Sequence, residues 1–114
     1  MIQIKNDEQI DGIRKSCHLV AQLMEAVGNF LRPELTTHDI DKFCYDFTIE
    51  HGAKPAYLHF EGFPATACIS INEEVIHGIP SKTRRIHEGD LVDLDLGTNL
   101  GGYFSDMSRT FVIG

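Results

Sequence analysis

Two β-rich runs near the end of this 114-residue chain are separated only by Asn99-Leu100-Gly101-Gly102, so they must fold back on each other as a hairpin. The first run holds D-x-D-x-G at Asp93–Gly97, and the second holds Y-F-S-D-M-S-R-T at Tyr103–Thr110. A two-residue loop at Leu100-Gly101 makes opposed residue numbers sum to 201, which sets Asp95 against Asp106. Opposed residues point to one face with Cβ atoms only ~5 Å apart, where like charges are destabilising. Two facing carboxylates therefore call for a cation between them or for a shared proton.

A chain of this length holds at most one small domain, 1–114, with a single modest core. Its formal charge of −7 argues against nucleic acid or an anionic membrane as a partner and is compatible with cations. No apolar run approaches the ~20 residues of a membrane span. The polar, acidic start from Met1 to Glu8 has neither a signal-peptide nor a transit-peptide pattern, so the expected location is cytoplasmic. Cys17, Cys44 and Cys68 are odd in number and lie in apolar stretches without C-x-x-C spacing. They read as buried small hydrophobes in a reducing compartment.

Asn6 and Gln9 have the spacing of a capping box, with Asp7 and Glu8 in the first turn. Apolar residues recur at Ile10, Ile13, Cys17, Val20, Leu23 or Met24, Val27 and Leu31, a helical stripe that Pro33 ends. Gly12 and Gly28 weaken that helix locally. A second helix is expected from Thr37 to about His51, capped by Thr36 or Thr37, with Ile40, Phe43, Cys44 and Phe47 inward and Gly52 terminating it. Ala53–Pro64 alternates aromatics with Pro and Gly and reads as irregular. Thr66–Ile71 is β-rich, Asn72-Glu73-Glu74 turns the chain before Val75–Ile79, and Ser81–Gly89 reads as a solvated loop. Two helices followed by antiparallel strands imply an α+β layer with the helices on one sheet face.

One hairpin face, Val92, Leu94 and Leu96, packs easily beneath helices. The other gathers Asp93 and Asp95 with Phe104, Asp106, Ser108 and Thr110. A single acid there would simply face water, but two opposed acids beside a third favour a metal site. Carboxylate oxygens suit Mg, Ca and Mn, and with imidazole also Fe, Co and Zn. A bridging pair commonly holds two metals ~3.5 Å apart, which generate a nucleophilic water at neutral pH.

The string Cys68-Ile69-Ser70-Ile71-Asn72-Glu73-Glu74-Val75-Ile76-His77-Gly78-Ile79-Pro80, with Gly89-Asp90, Asp93–Gly97 and Gly102–Thr110, resembles the type I methionine aminopeptidases. His77 lies 18 residues before Asp95, and Asp95 lies 11 before Asp106, as in that family's pattern. The resemblance implies half of a pita-bread (creatinase/aminopeptidase) fold, two helices packed on an antiparallel β-sheet. It further implies removal of the initiator methionine from a nascent chain or peptide N-terminus. Asp95 and Asp106 would ligate two divalent ions (Co, Mn, Fe or Zn), with Asp106 bridging them. His77 would be catalytic, hydrogen-bonding the scissile amide or the leaving amine. Tyr57, Phe60, Phe63 and Cys68, with His77, would bind the methionine side chain and the substrate. Asn72 and Glu74 match a turn whose carbonyls hold a monovalent cation.

Taken alone, His77 reads as a polar loop residue, and Phe60 and Phe63 as core aromatics; the H-G-I-P context reverses the first reading. Asp93 has no ligand role in the family, and Asp90 reads as a turn residue bonding its own backbone. His18, His38, His51, His59 and His87 carry no assigned chemistry. The remaining His and Glu ligands of the family belong to a second half. The leading function is thus a metallo-aminopeptidase represented by its N-terminal half. The competing one is a non-catalytic binding module that self-associates or pairs with a complementary half. A homodimer about the pseudo-twofold would bring Asp95 and Asp106 of both copies together. A proline-directed peptidase of the same fold is a third reading, disfavoured by S-x-N-E-x-V-x-H-G-I-P.

Overall fold

The computed structural model describes residues 6–56, 67–72 and 80–114. Two helices, α1 (Asp7–Phe30) and α2 (Thr37–Glu50), precede four strands: β1 (Lys54–Pro55), β2 (Cys68–Ile71), β3 (Leu91–Leu100) and β4 (Tyr103–Val112). Both helices start as their sequences dictate. Asn6 accepts from the Gln9 N–H while Gln9 accepts from the Asn6 N–H, and Thr36 and Asp39 repeat the exchange on α2. Such reciprocal caps satisfy donors that the first helical turn leaves unpaired. α2 stops before Gly52, whose φ of +77° suits glycine.

β3 is the centre of the sheet. β4 pairs along its whole length on one edge, and β1 and β2 pair antiparallel with successive parts of the other. Val92, Leu94 and Leu96 face the helices and are essentially sealed from solvent, against Val20, Leu23, Met24 and Val27 of α1 and Ile40 and Cys44 of α2. This is the inner face expected from the alternation of β3. Among the described residues, no helix is long and apolar enough to cross a membrane.

Four expectations are corrected. The hairpin loop is Gly101-Gly102, not Leu100-Gly101, because both central residues take positive φ (61° and 90°). That conformation costs glycine little and leucine considerably more. Asn99 closes the turn by accepting from the Gly102 N–H at 3.0 Å. Opposed numbers therefore sum to 203, with Asp95 across from Ser108 and Gly97 across from Asp106.

The buried stripe of α1 holds as expected at Val20, Leu23, Met24 and Val27 but departs from expectation in its N-terminal half. Ser16, not Cys17, faces inward, while Cys17 and Ile10 are exposed. Polar groups draw Ser16 in. Its hydroxyl meets those of Thr98 and Ser105 at 3.1 Å each, and its carbonyl accepts from Ser105 at 2.9 Å. Thr98 and Ser105 are themselves 2.8 Å apart, so each buried hydroxyl has a partner. The third correction follows: of the three cysteines expected to be buried, only Cys44 and Cys68 are, and burial pushes the Cys44 thiol far up.

Fourth, Ser81–Gly89 is the loop expected, but it is not wholly solvated. Ile86 is fully buried in the core, and backbone hydrogen bonds tie residues 84 and 86 to the start of α2 and the turn before it. One apolar residue among Lys82, Arg84, Arg85 and Glu88 is enough to anchor the segment, and the charges around it obscure that signal.

Gly12 and Gly28, read from sequence as weak points, are contact points. A Cβ on Gly12 would lie 2.3 Å from the Tyr103 ring, and one on Gly28 would lie 2.6 Å from Phe111. Gly12→Ala sets the helical gain of about 1 kcal/mol against overpacking of about 1–3 kcal/mol. It should destabilise the native protein yet stabilise a Tyr103→Ala background, a change of sign that urea unfolding of the four proteins will show.

The Asp39 carboxyl is held below its usual value chiefly by the Thr36 backbone N–H and then by the Thr36 side chain. A depressed pKa contributes stability above the unfolded value that is lost as pH falls. Unfolding free energy should therefore drop more steeply below about pH 4 in the native protein than in Asp39→Asn, measured by urea titration across pH.

Candidate metal-binding face

The sheet face turned away from the helices carries alternate residues of three strands, in rows set by register. One row is Cys68, Asp95 and Ser108; the next is Ser70, Asp93 and Thr110; a third sets Gly97 beside Asp106. Asp95 and Asp106 therefore share a face, but as diagonal neighbours and not as an opposed pair. Diagonal residues are ~7–8 Å apart at Cα. The separation relieves the crowding that motivated a shared proton and leaves room for cations between the carboxylates.

The two carboxylates are held differently. Ser108 Oγ–H donates to Asp95 Oδ1, and Thr110 Oγ1–H makes the same bond to Asp93 Oδ1 one row away. The Asp106 carboxylate has no hydrogen bond or ion pair among the described residues, and the residue across from it is a glycine. Asp95 is half-buried and Asp106 exposed. Arg109 points to the opposite face and lies over the Phe111 ring at 5.1 Å. Among the described residues, no Lys or Arg pairs with Asp93, Asp95 or Asp106. Oxygen donors on one face without a competing cation are chemistry that divalent ions accept.

Cys68 stands beside Asp95 across the β2–β3 ladder and is only 7% exposed. Asn72, at φ +56°, ends β2 and ties it to β3: its N–H donates to the Leu91 carbonyl, and its Oδ1 accepts from the Leu91 N–H. Its amide also donates to Asp90 at 3.1 Å. Asp90 is the turn residue expected, accepting from the His87 N–H at 2.8 Å. That backbone donor, followed by the Asn72 amide, holds its carboxyl below the usual range. His77, Tyr57, Phe60, Phe63 and Glu74 lie outside the described residues.

Among the described residues, no three His, Cys, Asp or Glu side chains group as a metal site. Two recesses of about 510 and 500 Å³ lie on the helix side, and neither touches Asp95 or Asp106. Sequence reasoning missed Ser108 as the partner of Asp95. The alternation D-x-S in Asp106-Met107-Ser108 already puts Ser108 on the carboxylate face, and placing the turn at Gly101-Gly102 moves it into the row of Asp95.

The sequence profile described as metallopeptidase family M24 matches residues 11–114. The chain is 54% identical over 114 residues to the methionine aminopeptidase of Treponema pallidum, covering all of this chain and 44% of that protein. Its backbone superposes on the methionine aminopeptidase of Rickettsia prowazekii with a TM-score of 0.94 at 33% identity, covering all of this chain and 46% of that one. On a prolidase from Pyrococcus furiosus the TM-score is 0.82 at 30% identity, covering 97% of this chain and 31% of that one. The chain thus spans less than half the length of these relatives. Its two helices on an antiparallel sheet are half of the pita-bread fold of these neighbours, as the sequence resemblance implied.

Proposed function

Because the chain belongs to metallopeptidase family M24, we propose that it is the N-terminal half of a methionine aminopeptidase domain and that Asp95 and Asp106 are its ligands to a two-metal centre. Family membership carries dependence on divalent metal; the choice among Co, Mn, Fe and Zn follows availability as much as site chemistry. When bound, such ions supply a nucleophilic water at neutral pH and polarise the scissile carbonyl. The observation that carries the reading is the pair itself: two carboxylates on one sheet face, with no cationic side chain of the described residues against either.

The residues of this chain have separate tasks in this reading. Asp95, fixed by Ser108, and the unrestrained Asp106 would be the residues that hold the ions on this face. His77 assists at the amide nitrogen. Tyr57, Phe60 and Phe63, with Cys68 at the edge of the carboxylate row, receive the methionine side chain of a peptide or nascent chain. A monovalent cation near Asn72 would stiffen the junction that Asn72 already makes between β2 and β3. The cytoplasm is where such a substrate emerges. The His and Glu ligands, and the general base, come from the complementary half.

In the intact protein with Mn²⁺ or Co²⁺, Asp106→Asn should lower kcat/KM on Met-Ala-Ser by at least about 100-fold, the upper end of the loss typical for a mere hydrogen-bond partner of a ligand. Unfolding free energy without metal should stay level or rise, since a like-charge neighbour is removed. Preference for a Xaa-Pro peptide over Met-Ala-Ser would overturn the assigned substrate class.

A second reading has its own observation. Leu91, Phe104 and Val112 are 46%, 63% and 71% exposed on the same face as the carboxylates. Apolar side chains there suit a non-catalytic half that pairs with itself or with a complementary half. Light scattering with and without Mn²⁺ separates the two. A metal-independent dimer without Met-Ala-Ser turnover supports the binding module, and turnover by a metal-loaded protein excludes it.

A further inference from the structure

We infer that Ser108 is a positioning residue for the metal centre: it locks the Asp95 carboxylate so that one oxygen stays turned toward the ions. The inference rests on the reading of Asp95 as a ligand. Three observations carry it. The corrected register places Ser108 directly across from Asp95, where opposed side chains lie closest. The Ser108 hydroxyl donates to Asp95 Oδ1, which fixes the rotation of the carboxylate and leaves Oδ2 without a partner among the described residues. The donor is also uncharged. A Lys or Arg there would satisfy the carboxylate equally well but would repel a divalent ion and cancel the charge that attracts it. Arg109, the nearest basic residue in sequence, points to the other face.

The geometry also separates a positioning role from a merely structural one. Thr110 and Asp93 form the same hydroxyl-to-carboxylate bond one row away on the same face, between the same two strands. If the bond mattered only to hairpin stability, the two rows would be equivalent. The inference requires that only the Ser108 row affects metal. Asp106, diagonal to Asp95 and without such a donor, is left free to adapt, so one ligand is fixed and the other adjustable.

The test is metal affinity in the intact protein, titrated with Mn²⁺ by calorimetry, and the visible absorption spectrum of the Co²⁺ form. Losing a hydrogen-bond partner of a metal ligand typically weakens binding about 10–100-fold. Ser108→Ala should fall in that range and alter the Co²⁺ spectrum, Ser108→Thr should restore both, and Thr110→Ala should change neither. Affinity of Ser108→Ala within twofold of native, while Asp95→Asn abolishes binding, overturns the inference and leaves the metal reading standing. Equal losses in Ser108→Ala and Thr110→Ala also overturn it, assigning both bonds to hairpin stability. Unchanged affinity in Asp95→Asn removes the premise, and the inference falls with it.

Discussion

The turn at Gly101-Gly102 governs most of what this chain can do. Two consecutive positive φ angles confine the loop to these two glycines, and the loop fixes how β4 lies against β3. A slip of one residue would send every side chain of a strand to the opposite face. Val92, Leu94 and Leu96 would then leave the helices, and Asp93 and Asp95 would enter the core. The burial of three apolar side chains therefore holds the carboxylates outside, and core and site are one constraint seen from two sides.

The helices enforce the same register through polarity. Ser16 joins Thr98 and Ser105, an opposed pair on the inner face, in a buried cluster of three hydroxyls. Apolar packing tolerates sliding, but a buried hydroxyl without a partner costs about 1–3 kcal/mol. The cluster thus specifies where α1 sits along the hairpin. It is placed on the face opposite the Ser108–Asp95 and Thr110–Asp93 bonds, so hydroxyl donors register the sheet on both sides.

Features written in local chemistry were legible in the sequence. The capping box of Asn6 and Gln9, the N-cap at Thr36, the stop at Gly52 and the inner face of β3 each depend on a few neighbouring residues. What hydropathy misjudged depended on distant partners. Ser16 is polar and was passed over for Cys17, because only Thr98 and Ser105 explain its burial. Ile86 is obscured by its charged neighbours, because its backbone partners, Glu34 and Leu35, lie far earlier in the chain. At the site, the identity of the two acids was legible and their geometry was not. Choosing Leu100-Gly101 over Gly101-Gly102 turned a diagonal pair into an opposed one and hid Ser108.

The notches at Gly12 and Gly28 make α1 a gauge for strand length. They are sixteen residues apart in the helix, about 24 Å at 1.5 Å per residue. The rings they receive, Tyr103 and Phe111, are eight residues apart in β4, about 27 Å at 3.4 Å per residue. Helix and strand run side by side in the same direction with nearly equal spans, so both rings seat only if neither element gains or loses a residue between its two contacts. Asp106 and Ser108 lie within that measured interval. An insertion or deletion between the notches would unseat one ring, which makes this segment resistant to change in length even where individual side chains are exposed.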